Sequence, residues 1–211
     1  MIDYWLKVLF VVLLSYLLGA IPMAYVVARM KRVNIFEVGS GNMGATNVAR
    51  AAGLRWGILA WVLDMGKGFV AIFVARQVLT DSMATATAIG ALMCIIGHNW
   101  SIFAALITGK LRGGKGAAIA FGAMFIIAPG IMLVVSLIGS LIIFLTRYVS
   151  LAVLVMFAVA TLWMIVLVDQ QAMPPIYSYY SVLVALLILV RFRENIDRLL
   201  RGTERRLGER A

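Results

Sequence analysis

Six apolar stretches run through the chain, about Tyr4 to Ala28, Trp56 to Ala75, Met83 to Phe103, Ala117 to Leu145, Val149 to Val168 and Pro174 to Val190. Most approach the ~20 residues that cross a bilayer as helix at ~1.5 Å per residue. Apolar residues make up 64% of the 211 and charged residues only 13%, where a soluble domain carries about a quarter. A water-soluble body of this size cannot bury so much apolar surface, so the solvent is lipid. The fold class that follows is an all-α integral membrane protein. The first stretch is too long for the apolar region of a signal peptide, Asp3 stands where basic residues would precede one, and no clear small-x-small cleavage site follows. It reads as the first membrane helix.

The formal charge of +10 would suit a nucleic-acid partner, but its placement does not. Lys and Arg gather in short segments between apolar runs: Arg29, Lys31, Arg32, Arg50 and Arg55; then Lys110, Arg112 and Lys115; then the tail from Arg191 through Arg210. This is the pattern of cytoplasmic loops, with a basic tail against anionic lipid heads, and no nucleic acid is expected. The N-terminus, with Asp3 and Lys7, carries no basic excess. Tail and N-terminus are therefore expected on opposite sides, which requires an odd number of spans. Ala128-Pro129-Gly130 resolves the count by dividing the fourth stretch into about Ala117–Ala128 and Ile131–Leu145, because Pro-Gly breaks a helix. The expectation is one membrane domain over residues 1–211, a bundle of about seven helices with short amphipathic or re-entrant segments, five or six being the alternative if some stretches are re-entrant. Residues 194–211 read as an amphipathic cytoplasmic helix, with Ile196, Leu199 and Leu200 on one face.

Chemistry concentrates in the polar segments. Gly39-Ser40-Gly41-Asn42-Met43-Gly44-Ala45-Thr46-Asn47, followed by Arg50, is glycine-rich, hydroxyl-rich and pressed between two apolar stretches. Backbone N–H groups in such a loop cradle an anion where it turns into a helix, although a capped surface loop reads similarly. Arg112-Gly113-Gly114-Lys115-Gly116 opens an apolar helix and can present N–H groups and an ammonium to a phosphate. It lacks Walker A spacing, and a basic cytoplasmic turn reads equally well. In the third cluster, Arg191 to Arg198, Glu194 and Arg198 are spaced to pair on a helix surface, while Asn195 is the candidate ligand-facing group.

Asp64 and Lys67 share a face inside an apolar stretch, which suits either a buried ion pair or a cavity lining. His98 is the only histidine and reads first as a structural hydrogen-bonding residue. One histidine and one cysteine, Cys94, leave no zinc site, and Cys94 reads as packing. Five residues after His98 stands Phe103, so the His-x-x-x-x-Asp dyad is absent; so are a Gly-x-Ser-x-Gly elbow and an Asp-rich metal motif. No metal and no cofactor are expected.

Together these stretches resemble the bacterial PlsY family, acyl-phosphate:glycerol-3-phosphate acyltransferases. The resemblance runs through Gly39-Ser40-Gly41-Asn42, Ala45-Thr46-Asn47 and Arg50, then Asp64 to Lys67-Gly68 and Gly97-His98. It continues through Gly113-Gly114-Lys115-Gly116, Arg147-Tyr148-Val149-Ser150-Leu151 and Arg193-Glu194-Asn195-Ile196 with Arg198-Leu199, in family order along nearly the whole chain. Phe192 stands where the family usually has histidine, and Ser101 where it usually has proline.

The resemblance implies seven membrane helices in the bacterial plasma membrane, the N-terminus outside, and the C-terminus and reaction centre cytoplasmic. It implies transfer of a fatty acyl group from acyl phosphate to the 1-hydroxyl of glycerol 3-phosphate, the first step of phospholipid synthesis. An acyl-phosphate-forming enzyme becomes a candidate partner, and membrane lipid a certain neighbour. On this reading Ser40, Arg50, Lys115 and Asn195 carry catalysis. Gly41, Asn42, Thr46, Asn47, Lys67, His98, Gly113, Gly114, Gly116, Arg147 and Ser150 line the substrates. Arg50 and Lys115 would hold a phosphate with the glycine-loop N–H groups, Arg147 and Ser150 would complete the clamp, and Asn195 would bond the glycerol backbone. A small-anion transporter built on the same basic loops, and a paralogue of altered acceptor or no activity, stay open as other readings.

Overall fold

The computed structural model describes residues 2–209, which form ten helices and, among themselves, no strand beyond one isolated bridge between Ser101 and Arg112. Arg210 of the basic tail lies outside the described residues. Five helical segments have the length and apolarity to span a bilayer: Ile2–Met30, Leu54–Val78, Pro129–Thr146, Val149–Asp169 and Ile176–Leu200. With the shorter apolar helices Met83–Asn99 and Ala117–Ile127, they make up the seven expected apolar segments. The chain forms two compact units, the first extending to Ala123 and the second Met124–Glu209.

In the first unit the opening stretch is not one helix. It divides at Ile21-Pro22 into α1 (Ile2–Ala20) and α2 (Met23–Met30). Proline cannot donate to the preceding turn, so carbonyls at the end of α1 lose their intrahelical partners at membrane depth. Other side chains take them up: Lys67 Nζ donates to the carbonyls of Gly19 (2.7 Å) and Ile21 (2.9 Å), and Ser101 Oγ to that of Ala20 (2.5 Å). Buried polar contacts of this kind are what make a broken helix tolerable in lipid.

α3 (Ala45–Ala52) is short, α4 (Leu54–Val78) is a full span, and α5 (Met83–Asn99) runs beside both α1 and α4. The α1–α5 pair is unusually close. A Cβ on Gly97 would fall 2.0 Å from the Tyr16 carbonyl oxygen, and one on Gly19 2.0 Å from that of Cys94. Small residues permit such backbone approach, which supplies the packing that hydrophobicity cannot supply between helices in lipid. The third apolar stretch ends at Asn99 rather than near Phe103. Beyond it Ser101 caps α6 (Ile102–Thr108), its Oγ accepting from Ala104 N–H at 3.0 Å. The hydroxyl thus both caps α6 and donates to α1, neither of which proline could do there.

α7 (Ala117–Ile127) begins in the first unit and stops just before Ala128, where the expected Pro-Gly break falls. Pro129 occupies the first turn of α8 (Pro129–Thr146), the helical position that tolerates proline best. α8 and α10 (Ile176–Leu200) both pack on α9 (Val149–Asp169). Along α10 the stripe Tyr177, Ser181, Val184, Ile188, Phe192 and Asn195 is buried.

The tail departs from expectation. Residues 194–200 continue α10, and the helix stops there instead of running to 211. Gly202, at φ +69°, reverses the chain, with Gly202 N–H bonded to Leu199 O and Thr203 N–H to Arg198 O. These are the two bonds of a Schellman C-cap, and the left-handed turn suits glycine.

Candidate active site

Each unit carries one polar cluster. In the first unit, two glycine loops are bound to each other. The loop before α3 is folded around Asn47, whose Oδ1 accepts from Ser40 N–H at 3.2 Å. Its Nδ2 lies 3.2, 3.1 and 3.1 Å from the carbonyls of Ile35, Val38 and Asn42. Asn47, which the resemblance places among the substrate-lining residues, is buried and bonded to its own loop, which it shapes. Ser40, Gly41, Asn42 and Thr46 remain half-buried, as does Arg50 in the last turn of α3. Ser40 Oγ accepts weakly from Asn42 N–H at 3.4 Å.

Arg112 joins this loop to the second one. Its Nη2 donates to the Gly41 carbonyl, and its guanidinium lies 4.8 Å from the Phe36 ring centroid. The Ser101–Arg112 bridge ties the same residue to the start of α6. Gly113, Gly114 and Gly116 then wrap the end of α5. A Cβ on Gly113 would lie 2.0 Å from the His98 carbonyl oxygen, and one on Gly114 1.9 Å from His98 Nε2 and 2.6 Å from the Met43 carbonyl oxygen. No side chain fits at either position. Gly116, at φ +75°, turns the loop into α7, and Gly114 N–H donates to His98 O at 3.0 Å. Lys115, between them, is half-buried.

Beneath this loop lie Asp64, Lys67 and His98. Lys67 Nζ stands 3.0 Å from Asp64 Oδ1 and 2.9 Å from His98 Nδ1, in addition to its two α1 carbonyls. The three ammonium hydrogens are taken by the two carbonyls and His98, and Asp64 balances the charge as an ion pair, so the group is fully engaged within the bundle. The ion pair joins α4, α5 and the α1–α2 break, and His98 carries the glycine loop on its outer edge.

The second unit's cluster centres on a residue that sequence reading passed over. Glu204, past the Gly202 turn, returns its carboxylate to α9 and α10. Ser150 Oγ donates to it at 3.0 Å, Asn195 Nδ2 at 2.7 Å, and Arg198 Nε at 2.8 Å. Glu204, Ser150 and Asn195 are all buried. Ser150 and Asn195, expected to touch substrate, are thus held by the chain's own carboxylate. Glu194, the expected partner of Arg198, is exposed, and Arg198 pairs with Glu204. Arg147 is exposed and holds the returning tail, donating through Nε (3.0 Å) and Nη2 (2.6 Å) to the Leu207 carbonyl. The one available signal for Glu204 was an acid directly after Gly-Thr in a largely basic segment.

The profile of the Glycerol-3-phosphate acyltransferase family matches residues 9–202. A Glycerol-3-phosphate acyltransferase of Thermus thermophilus is 43% identical over 201 residues, covering 94% of each chain. That of Aquifex aeolicus is 37% identical over 201 residues, covering 95% of this chain and all 100% of the relative. Among solved structures, PlsY, an integral membrane glycerol 3-phosphate acyltransferase, matches in its glycerol 3-phosphate form with a TM-score of 0.82 at 38% identity, over 95% of this chain and 96% of that one. Its lysophosphatidic acid form matches with a TM-score of 0.80.

Proposed function

The chain belongs to the glycerol-3-phosphate acyltransferase family, and from that footing we propose that it moves a fatty acyl group from acyl phosphate to the 1-hydroxyl of glycerol 3-phosphate. The products are lysophosphatidic acid and inorganic phosphate. The observation that carries the reading is the pair of glycine loops locked together by Arg112, with Gly113, Gly114 and Gly116 so closely packed that only a bare backbone fits. A loop of that kind at the start of α7 suits a phosphate through the Lys115 ammonium and main-chain N–H groups other than that of Gly114, which is bonded to His98 O.

Acyl phosphate is an activated donor. The hydroxyl oxygen attacks the acyl carbon, the carbon–oxygen bond to phosphate breaks, and the hydroxyl proton leaves on the released phosphate. Positioning supplies most of what such a step needs, since effective molarity alone contributes roughly 7–11 kcal/mol. Lys115 and Arg50 would neutralise phosphate charge, and Ser40 and Asn42 would orient the hydroxyl or the donor carbonyl. The resemblance assigns the glycerol phosphate to Ser150, Asn195 and Arg147, and in this chain Glu204 fixes the rotamers of the first two. Lys67, His98 and Asn47 act behind these groups as positioning residues, because their polar atoms are engaged inside the protein.

Phe192 replaces a polar residue of the family pattern and is buried on the α10 stripe. The site would face the cytoplasm of a bacterial plasma membrane, with the N-terminus outside, as the basic segments require. An acyl-phosphate-forming enzyme would supply the donor.

The anion-transporter reading is separated by one experiment. Vesicles holding the purified protein, given palmitoyl phosphate and labelled glycerol 3-phosphate outside, should accumulate labelled lysophosphatidic acid in the bilayer. Label appearing in the lumen as unreacted glycerol 3-phosphate, with no lipid product, would reject the acyltransferase reading.

A further inference from the structure

A carboxamide lies beneath the glycine loop with nothing bonded to it. Asn99, the last residue of α5, is wholly buried, and neither Oδ1 nor Nδ2 has a hydrogen-bond partner. A Cβ on Gly116 would lie 2.9 Å from Asn99 Oδ1 and 3.4 Å from Nδ2. The amide therefore meets the backbone at the turn where the loop becomes the first turn of α7, an 11-residue helix. The loop also crosses the other side of the same residue, since a Cβ on Gly113 would lie 2.8 Å from the Asn99 carbonyl oxygen.

A carboxamide brings two N–H donors and an acceptor oxygen, and native proteins rarely bury all of them unpaired. Packing does not call for the polar atoms, because leucine fills a similar volume. The neighbouring buried polar side chains show the contrast: Lys67, Ser101 and Asn47 are each bonded to main-chain groups.

We infer that Asn99 is a positioning residue for anion binding, its carboxamide pairing with the main chain of the Gly113–Gly116 loop when a phosphate or phosphate monoester is seated there. The physical link is the rigidity of the peptide plane. Loop N–H groups that turn towards an anion swing their carbonyl partners to the opposite side, where Asn99 waits. The inference rests on the reading of this loop as a phosphate site, and it concerns the coupling behind that site rather than direct contact with substrate.

The test uses the full chain in detergent, with thermal unfolding measured without ligand, with inorganic phosphate and with glycerol 3-phosphate. Asn99→Leu should melt at or above the wild-type temperature without ligand and lose most of the rise that either anion gives the wild type. Its KM for glycerol 3-phosphate should rise about tenfold, the worth of one hydrogen bond, with kcat little changed. Asn99→Ala should show the same loss of ligand response, whatever its own stability. A wild-type rise that Lys115→Ala abolishes but Asn99→Leu retains, with KM unchanged, overturns the Asn99 inference and leaves the loop reading standing. No rise in the wild type overturns both. Failure of both Asn99 variants to fold also overturns it, since a side chain without partners in the unliganded fold is not what holds that fold together.

Discussion

Glu204 gathers three polar side chains of the second unit around one carboxylate. One buried carboxylate receives Ser150, Asn195 and Arg198 at 3.0, 2.7 and 2.8 Å, and so fixes three rotamers on two helices. Arg198 is only partly shielded, so the ion pair matters less than the orphaning of buried donors on Ser150 and Asn195. Glu204→Ala should destabilise the protein by about 3 kcal/mol, seen as a lower unfolding temperature, with Glu204→Gln milder because an acceptor oxygen stays in place. An unchanged melting temperature for Glu204→Ala would mean that the carboxylate is incidental. Polar residues near the glycines were legible as a group, because Ser, Asn, Thr and Arg at the edge of apolar stretches have few structural reasons to be there. Their individual roles were not. Asn47 and Asn42 look alike in sequence, yet one is turned into its loop and the other stays half-buried at its edge. Glu204 was invisible because its partners lie across a chain reversal that only the Gly202 turn creates.

Between elements, the decisive feature is the close approach of α1 and α5. Gly97→Ala would drive a methyl to 2.0 Å from the Tyr16 carbonyl oxygen, and backbone cannot yield as a side-chain tip can. It should cost about 3 kcal/mol, at the upper end of ordinary overpacking. Gly66→Ala in α4 is the matched control: nothing lies within 4 Å of its Cβ, so relief of glycine's backbone entropy should leave the protein as stable or up to about 1 kcal/mol more so. Unfolding temperatures of the two variants should therefore move apart, and equal values would contradict the packing account. The two proline breaks show what sequence reveals at this scale. Pro129 was readable because a glycine follows it inside a run too long for one span. Pro22 was not, since apolar residues flank it and the run is of ordinary spanning length. What makes the break affordable, Lys67 and Ser101 on distant helices, is a tertiary fact.

For the whole molecule, hydropathy and the distribution of arginine were enough to fix the class, because lipid leaves so few architectures open. They also predict orientation. Cys94 is buried, so single cysteines at Asp3 and Arg205 can be probed with little background from it. In right-side-out vesicles an impermeant maleimide should label Asp3→Cys and spare Arg205→Cys; the reverse pattern would overturn the assigned topology. Chemistry at this scale reduces to the donor. The glycine loops are read as holding a phosphate on an already activated acyl group, which is why no strong base is invoked. The direct measurement is lysophosphatidic acid formation by the purified protein from labelled glycerol 3-phosphate, with palmitoyl phosphate or palmitoyl-CoA as donor. The account predicts product with palmitoyl phosphate and essentially none with palmitoyl-CoA; product from the thioester alone would contradict it.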